Sequence, residues 1–261
     1  MGDISAGGLT TPARCFYRFA FLRPHALEAP EPRFHELRDG DAYAELCPIL
    51  VERGYRYGGL LLNYPDLQDR RRVPRLRPSD LIVVTTRPPL TDSVLERRRI
   101  RRTGAPLERT ILDVAGRYFE ICSRSWIMLQ PEVASHLGPH ADRAHVEFRM
   151  YKGSCYLKHR DPYAPRRSDR RYREDVGSKR TAAFLVFTRV GSRGPMLLNA
   201  FGMDGNTTLV WCHLLRTRFA HLLTSPRFVM VELTTDPLPA RPATLSFANG
   251  WRADILLDLP V

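Results

Sequence analysis

The sequence predicts a mixed α+β fold, with helices gathered in the N-terminal half and strands in the C-terminal half. Three observations carry that expectation. Up to about residue 125, apolar residues at helical spacing alternate with strand-like runs. Beyond about residue 140 the apolar period shortens to two. Turns marked by Gly153, Gly191, Gly205 and Gly250 then punctuate the chain. A boundary is expected near 125–140. It divides the 261 residues into an α/β buttressing region, 1–135, and a β-rich core region, 136–261, or else the two are fused in one domain. With 43% hydrophobic residues, the chain is long enough to bury such a core.

In order, Arg14 to Leu22 reads as a strand. Asp41 to Arg53 reads as a helix, because Tyr43, Leu46, Ile49 and Leu50 share one face. Tyr57 to Leu62 and Asp80 to Thr86 read as strands, the second a continuous apolar run of the buried kind, stopped by the prolines at 88 and 89. Helices are expected over Thr91 to Ile100 and Leu107 to Cys122, separated by Gly104 and Pro106. His145 to Tyr151 alternates, with Val146, Phe148 and Met150 opposed to Glu147, Arg149 and Tyr151. Thr181 to Val190, Pro195 to Phe201, Arg227 to Thr234, Ala243 to Ala248 and Ala253 to Leu259 complete the strand-rich half, which is expected to be mostly antiparallel. Residues 207–223 read in two ways. Trp211, Leu214, Leu215, Phe219 and Leu222 recur at helical spacing behind the capping candidates Asn206 and Thr207, while a strand and loop is the alternative.

Composition removes several classes. No run approaches eighteen apolar residues, so no membrane span is expected, and Met1 to Thr11 lacks a signal-peptide pattern. A cytoplasmic location is the expectation. Five scattered cysteines, Cys15, Cys47, Cys122, Cys155 and Cys212, with no CxxC pair, fit neither a zinc ribbon nor a disulfide framework and read as reduced thiols. The net charge of +12 favours acidic partners. Only Lys152, Lys158 and Lys179 of the 40 basic residues are lysine, a preference that GC-rich coding explains more simply than recognition does.

The most pointed chemistry lies in Tyr151-Lys-Gly-Ser-Cys-Tyr156-Leu-Lys-His159-Arg-Asp161-Pro162. A histidine and an aspartate two apart on an extended segment point to the same side, so imidazole and carboxylate can reach one ion. A second imidazole from a distant strand would complete a two-histidine, one-carboxylate triad, leaving three positions on Fe(II) open.

FRMYKGSCYLKHRDP (148–162), RTAAFLVFTRV (180–190) and GSRGPMLLNAFG (191–202) together resemble the Fe(II)/2-oxoglutarate-dependent dioxygenases, in particular their prolyl-hydroxylase-like branch. The resemblance covers roughly 145–235. It implies a double-stranded β-helix, or jelly roll, in the C-terminal half. It also implies an oxidoreductase that hydroxylates a small-molecule or protein substrate with Fe(II) and 2-oxoglutarate as cofactors. His159 and Asp161 would be metal ligands and catalytic residues. The distal ligand would be His213 or His221, of which His221, 60 residues beyond Asp161, suits the family better. Arg227 would anchor the far carboxylate of 2-oxoglutarate, with Arg241 in reserve, and Tyr151 or Tyr156 would hydrogen-bond that co-substrate. The arginine-rich loop 163–180 would be a lid over substrate.

Other patterns compete. His136 and His140 would share a helical face like a zinc pair, but Gly138 and Pro139 between them argue against a helix. The stretch from Pro195 through Gly202, Gly205 and Thr207 reads as a strand, turn and helix suited either to a phosphate or to an ordinary tight turn. Arginine clusters at 70–72, 97–102 and 166–173 suit phosphate backbones or, with acidic residues beside them, solvated faces. A nucleic-acid or anion-binding protein and a non-catalytic interaction protein are the alternatives to the oxygenase. The nucleic-acid reading requires the arginine clusters to converge.

Overall fold

The computed structural model describes residues 13–18, 33–62, 76–88, 106–122, 126–151, 154–159, 179–203, 205–235 and 250–261. The expected helix at 91–100, the expected strand at 243–248, Asp161, Arg241 and the three arginine clusters lie outside the described residues.

The chain is mixed α+β. Strand β1 (Ala13–Arg18) leads to helix α1 (Arg33–Glu52), and β2 (Tyr55–Leu62) and β3 (Leu81–Val84) come next. The first expected helix starts earlier than its apolar stripe indicated, and that stripe is its buried face: Tyr43, Leu46, Ile49 and Leu50 are all in the core. Gly54 ends it in the left-handed region at φ 82, its N–H reaching the Val51 carbonyl at 2.9 Å. Arg53 ties this end of α1 to residues far along the chain, donating to the carbonyls of Ala220, at 2.9 Å, and Leu223.

Helix α2 (Pro106–Ala115) is shorter than the expected 107–122. Its backbone closes at Gly116, and β4 (Phe119–Cys122) comes after it with Phe119 and Ile121 buried and Glu120 exposed, a period of two. Strand β5 (Trp126–Leu129) and the short helix α3 (Pro131–Ala134) come next. A 3-10 segment, Ser135–Ala144, is broken at Gly138 (φ 54, ψ −117), so His136 and His140 share no regular helical face, as the Gly-Pro pair between them predicts.

Strands β6 (His145–Tyr151), β7 (Ser154–His159), β8 (Lys179–Arg189) and β9 (Met196–Gly202) precede helix α4 (Gly205–Thr217) and a 3-10 turn, Ala220–Leu223. Strands β10 (Arg227–Thr235) and β11 (Trp251–Pro260) close the fold. Of the two readings of 207–223 the helical one is observed: Trp211, Leu214, Leu215 and Leu222 are buried, and the Trp211 indole donates to the Phe184 carbonyl at 3.0 Å.

Seven strands form one sheet in the order β11-β10-β8-β9-β3-β1-β2, and four form a second in the order β4-β5-β6-β7. The small sheet is antiparallel throughout. In the large one β2, β1, β3 and β9 run parallel, while β9, β8, β10 and β11 pair antiparallel. The expected antiparallel pairing of the C-terminal half is therefore present. His145–Tyr151 and Thr181–Val190 are both strands, but they belong to different sheets. The large sheet also crosses the 135/136 boundary, since β3 pairs with β9. Strand β11 carries one extra residue, Leu256, between the pairs Ile255–Val231 and Leu257–Met230, and ends on Pro260.

The large sheet is the middle of three layers. Leu81, Val83, Leu185, Leu198 and Val229 meet α1 and α4 on one face. Ile82, Val84, Phe184, Phe201 and Phe228 meet α2 and the small sheet on the other. There Phe119 packs edge-on against Phe184 at 5.3 Å and Phe228 at 5.5 Å, and Tyr118 stacks on Phe228 at 4.8 Å. A buried ion pair between Arg143 and Glu232 ties the 3-10 segment to β10. Among the described residues no helix is long and apolar enough to cross a membrane.

Candidate functional site

His159 is the last residue of β7. It pairs with Val146, which pairs in turn with Ile127, a residue fully buried against the large sheet. The pairing partners of the two tyrosines are Ser154 for Tyr151 and Arg149 for Tyr156.

The distal-ligand candidates lie elsewhere. His213 sits on α4, nine-tenths buried, with Nδ1 3.0 Å from Glu45 Oε2 on α1. The same carboxylate oxygen accepts from Arg216 Nε at 2.9 Å. Glu45, His213 and Arg216 thus form a polar clasp between the two helices. His221 is exposed on the 3-10 turn, its ring 6.2 Å from that of Phe219. Both histidines belong to the helical side of the large sheet, whereas β7 belongs to the small sheet on the other side. His213 and His221 are therefore on the helical side of the large sheet and His159 ends a strand of the small sheet, while Asp161 lies outside the described residues. Arg227 is engaged as well: it donates to Asp258 Oδ2 on β11 at 3.0 Å and to Ser225 Oγ at 2.7 Å. Its guanidinium straps an edge strand to the chain. Among the described residues no group of three or more His, Cys, Asp or Glu side chains is arranged to hold a metal ion.

The arrangement that does gather chemistry is one end of the large sheet. Strands β1, β2 and β3 stop level with one another, at Arg18, Leu62 and Val84, opposite Asn199 of β9 and Val186 of β8. Strands β8, β10 and β11 run on past this line to Lys179, Thr235 and Trp251. The overhang is about 20 Å at the usual strand rise. The end is therefore a step, low over the parallel strands and high over the antiparallel ones.

Every long connection of this sheet has at least one end fixed at the step. Segment 63–75, with Arg70 to Arg72, departs from β2. Segment 89–105, with Arg97 to Arg102, departs from the chain just beyond β3. Segment 160–178, with Arg166 to Arg173, arrives at β8, and segment 236–249, with Arg241, joins β10 to β11. The three clusters are far apart in sequence, and each belongs to a segment with one described end at the step and the other leading away from it, as 63–75 leads on to the start of β3.

The low side of the step is built firmly. Asn199, 2% exposed, donates through Nδ2 to the carbonyls of Val84 and Thr86, each at 2.9 Å. Thr85 between them is buried, and Arg87 comes next, half-buried. Beside this end the Cys122 thiol is pushed up to about 12 by burial, against which the Arg87 charge acts in the lowering direction. At β9 the chain turns sharply into α4. Gly202 N–H donates to Thr208 Oγ1 at 2.9 Å, and a Cβ on Gly202 would lie 2.5 Å from Thr207 Oγ1. The strand, turn and helix expected from 195 onward is present, with both threonines spent on packing the turn.

No family model, curated protein or solved structure matches the chain.

The functional reading therefore rests on this chain's own geometry. Sequence reasoning missed Asn199, Glu45 and Arg87. An asparagine inside the apolar run Met196 to Phe201 was the signal for the first. Nothing local marks the other two.

Proposed function

We propose that the protein binds a polyanion, a nucleic acid, along the stepped end of its large sheet. The observation that carries this reading is that each of the three arginine clusters belongs to a segment with one described end at the step. Three arginine clusters on a chain of net charge +12 favour a partner rich in phosphates. Sequence-independent contacts to the phosphate backbone then dominate, and a cytoplasmic location accords with them. The test is fluorescence anisotropy with a labelled 20-nucleotide DNA strand over a salt series. Binding is expected to weaken steeply, with log K falling against log salt by about 0.7 for each phosphate neutralised. Replacing Arg97, Arg98 and Arg99 together by Gln is expected to lower that slope by about two. A slope near zero would sink the reading.

The Fe(II)/2-oxoglutarate oxygenase is a second reading, supported by the position of His159 in line with the buried Ile127. It calls for His159, Asp161 and a third donor from the small-sheet side of the molecule, in a double-stranded β-helix-like setting. Its test is the weak visible charge-transfer band of protein, Fe(II) and 2-oxoglutarate mixed without air. The band is expected in the wild type and lost in His159→Ala and Asp161→Ala; its absence from the wild type removes this reading.

A further inference from the structure

At the other end of the large sheet, where β3 and β9 begin and β8 stops, two turns meet. Arg77-Pro-Ser-Asp80 closes a β-turn: Asp80 N–H donates to the Arg77 carbonyl at 3.0 Å, and Arg77 N–H donates to Asp80 Oδ2 at 2.6 Å. Asp80 is fully buried, and its carbonyl accepts from Met196 N–H at 2.9 Å, which fixes this turn to the first residue of β9. The second turn, Gly191 to Gly194, leads β8 into β9. Gly191 takes φ 62, a side chain on Gly194 would run into the Val190 carbonyl, and Val190 N–H donates to the Pro195 carbonyl at 2.9 Å. Arg189 joins the two turns: its Nη1 donates to the Pro78 carbonyl at 3.2 Å and to the Gly194 carbonyl at 2.8 Å. The residues just before those two carbonyls are Arg77 and Arg193. Both are exposed, and neither guanidinium has a hydrogen bond or ion pair among the described residues.

We infer that Arg77 and Arg193 form a site for a phosphate monoester, with Arg189 as the residue that positions them. The two turns are held before any ligand arrives, so little freedom is left to lose on binding. The Asp80 carboxylate beside them is buried and bonded to the backbone, and does not neutralise either outer guanidinium. Each planar fork can meet two phosphate oxygens at once. A monoester carries a charge of about −1.5 to −2 at neutral pH, which matches two unpaired cations better than the single charge of a diester does. The inference does not use the polyanion reading, which concerns the opposite end of the sheet.

The experiment follows amide NMR signals of Ser79, Gly191 and Gly194 in the full chain at fixed ionic strength and about pH 7.5. Inorganic phosphate is one probe and dimethyl phosphate, a diester, is the other. Inorganic phosphate is expected to give saturable shifts in both turns with one common midpoint. Arg77→Gln is expected to raise the midpoint read at Gly194 roughly tenfold, and Arg193→Gln to raise that read at Ser79 by a similar factor. Each substitution thereby reports across the Arg189 bridge, in a turn it does not alter. Dimethyl phosphate is expected to bind about tenfold more weakly than inorganic phosphate, or worse. Shifts that rise without saturating would mean only diffuse attraction to a chain of net charge +12, and would overturn the site. A Gly194 midpoint untouched by Arg77→Gln would overturn it too. Equal midpoints for the two probes would overturn the monoester assignment and give this end to a phosphodiester instead.

Discussion

Asn199 illustrates what one side chain contributes where it is almost fully enclosed. Its amide nitrogen serves two carbonyls of the neighbouring strand, so Asn199→Ala strands both acceptors in a buried place. That substitution is expected to cost about 2 kcal/mol in urea denaturation; a loss well under about 0.5 kcal/mol would show that water replaces the amide freely. Cys122 makes the complementary case for pH. Burial raises its thiol from 9.0 to about 12, and Cys47 and Tyr118 are raised in the same direction. A raised pKa means the folded chain holds the proton after the unfolded chain has released it. The contribution is therefore whole below about pH 9 and declines as pH climbs toward 12. Stability measured from about pH 8 to 11 is expected to fall, and to fall less steeply in Cys122→Ala; equal slopes would assign the decline to other groups. At this scale the apolar residues were legible. Tyr43, Leu46, Ile49 and Leu50 announced their face by period alone. Asn199 was not, because its meaning depends on a strand 115 positions away.

Elements were legible where one period dominates and ambiguous where two coincide. Ile111, Val114, Ala115, Tyr118 and Cys122 fit a helical stripe throughout, so the expected helix ran on to 122. The chain instead changes period after Gly116, and Phe119 and Ile121 enter the core as strand residues. The segment 207–223 was ambiguous for the reverse reason, since apolar residues that pack a helix against a sheet also suit a buried strand. What settled it physically is α1, which offers α4 a partner and gives His213 and Arg216 a shared acceptor in Glu45. Two glycines test how tightly elements are joined. Gly202→Ala drives a methyl to 2.5 Å from Thr207 Oγ1 at the start of α4, and a loss of about 2 kcal/mol or more is expected. Gly40→Ala, inside α1 with nothing within 4 Å of the new carbon, is expected to gain up to about 1 kcal/mol. Calorimetric melting temperatures moving in the same direction for both would contradict this account of the turn.

Over the whole molecule, what the sequence could not disclose is pairing between distant strands. Parallel contacts such as β3 with β9 have no turn to advertise them, and the candidate metal site inherited that blindness. Nothing in the sequence marks which side of the large sheet His159, His213 and His221 belong to. Because one sheet draws strands from both halves, fragments 1–135 and 136–261 expressed separately are each expected to lack dispersed amide NMR signals, while the intact chain gives them. Two independently folded fragments would show that the sheet is not the unit of stability. The last strand carries a different lesson. Strand β11 is ten residues long and lies at the sheet's border, yet Leu256 bends it, Asp254 and Asp258 are exposed along it, and Pro260 closes it. A straight border of that length would be a template on which another molecule's strand could grow, and each of these features spoils the ladder. Deleting Leu256 is expected to straighten it and to make light scattering rise with protein concentration, where the intact chain stays flat. What stands at the rim of this fold is a strand shaped so that neighbouring molecules find nothing to zip onto.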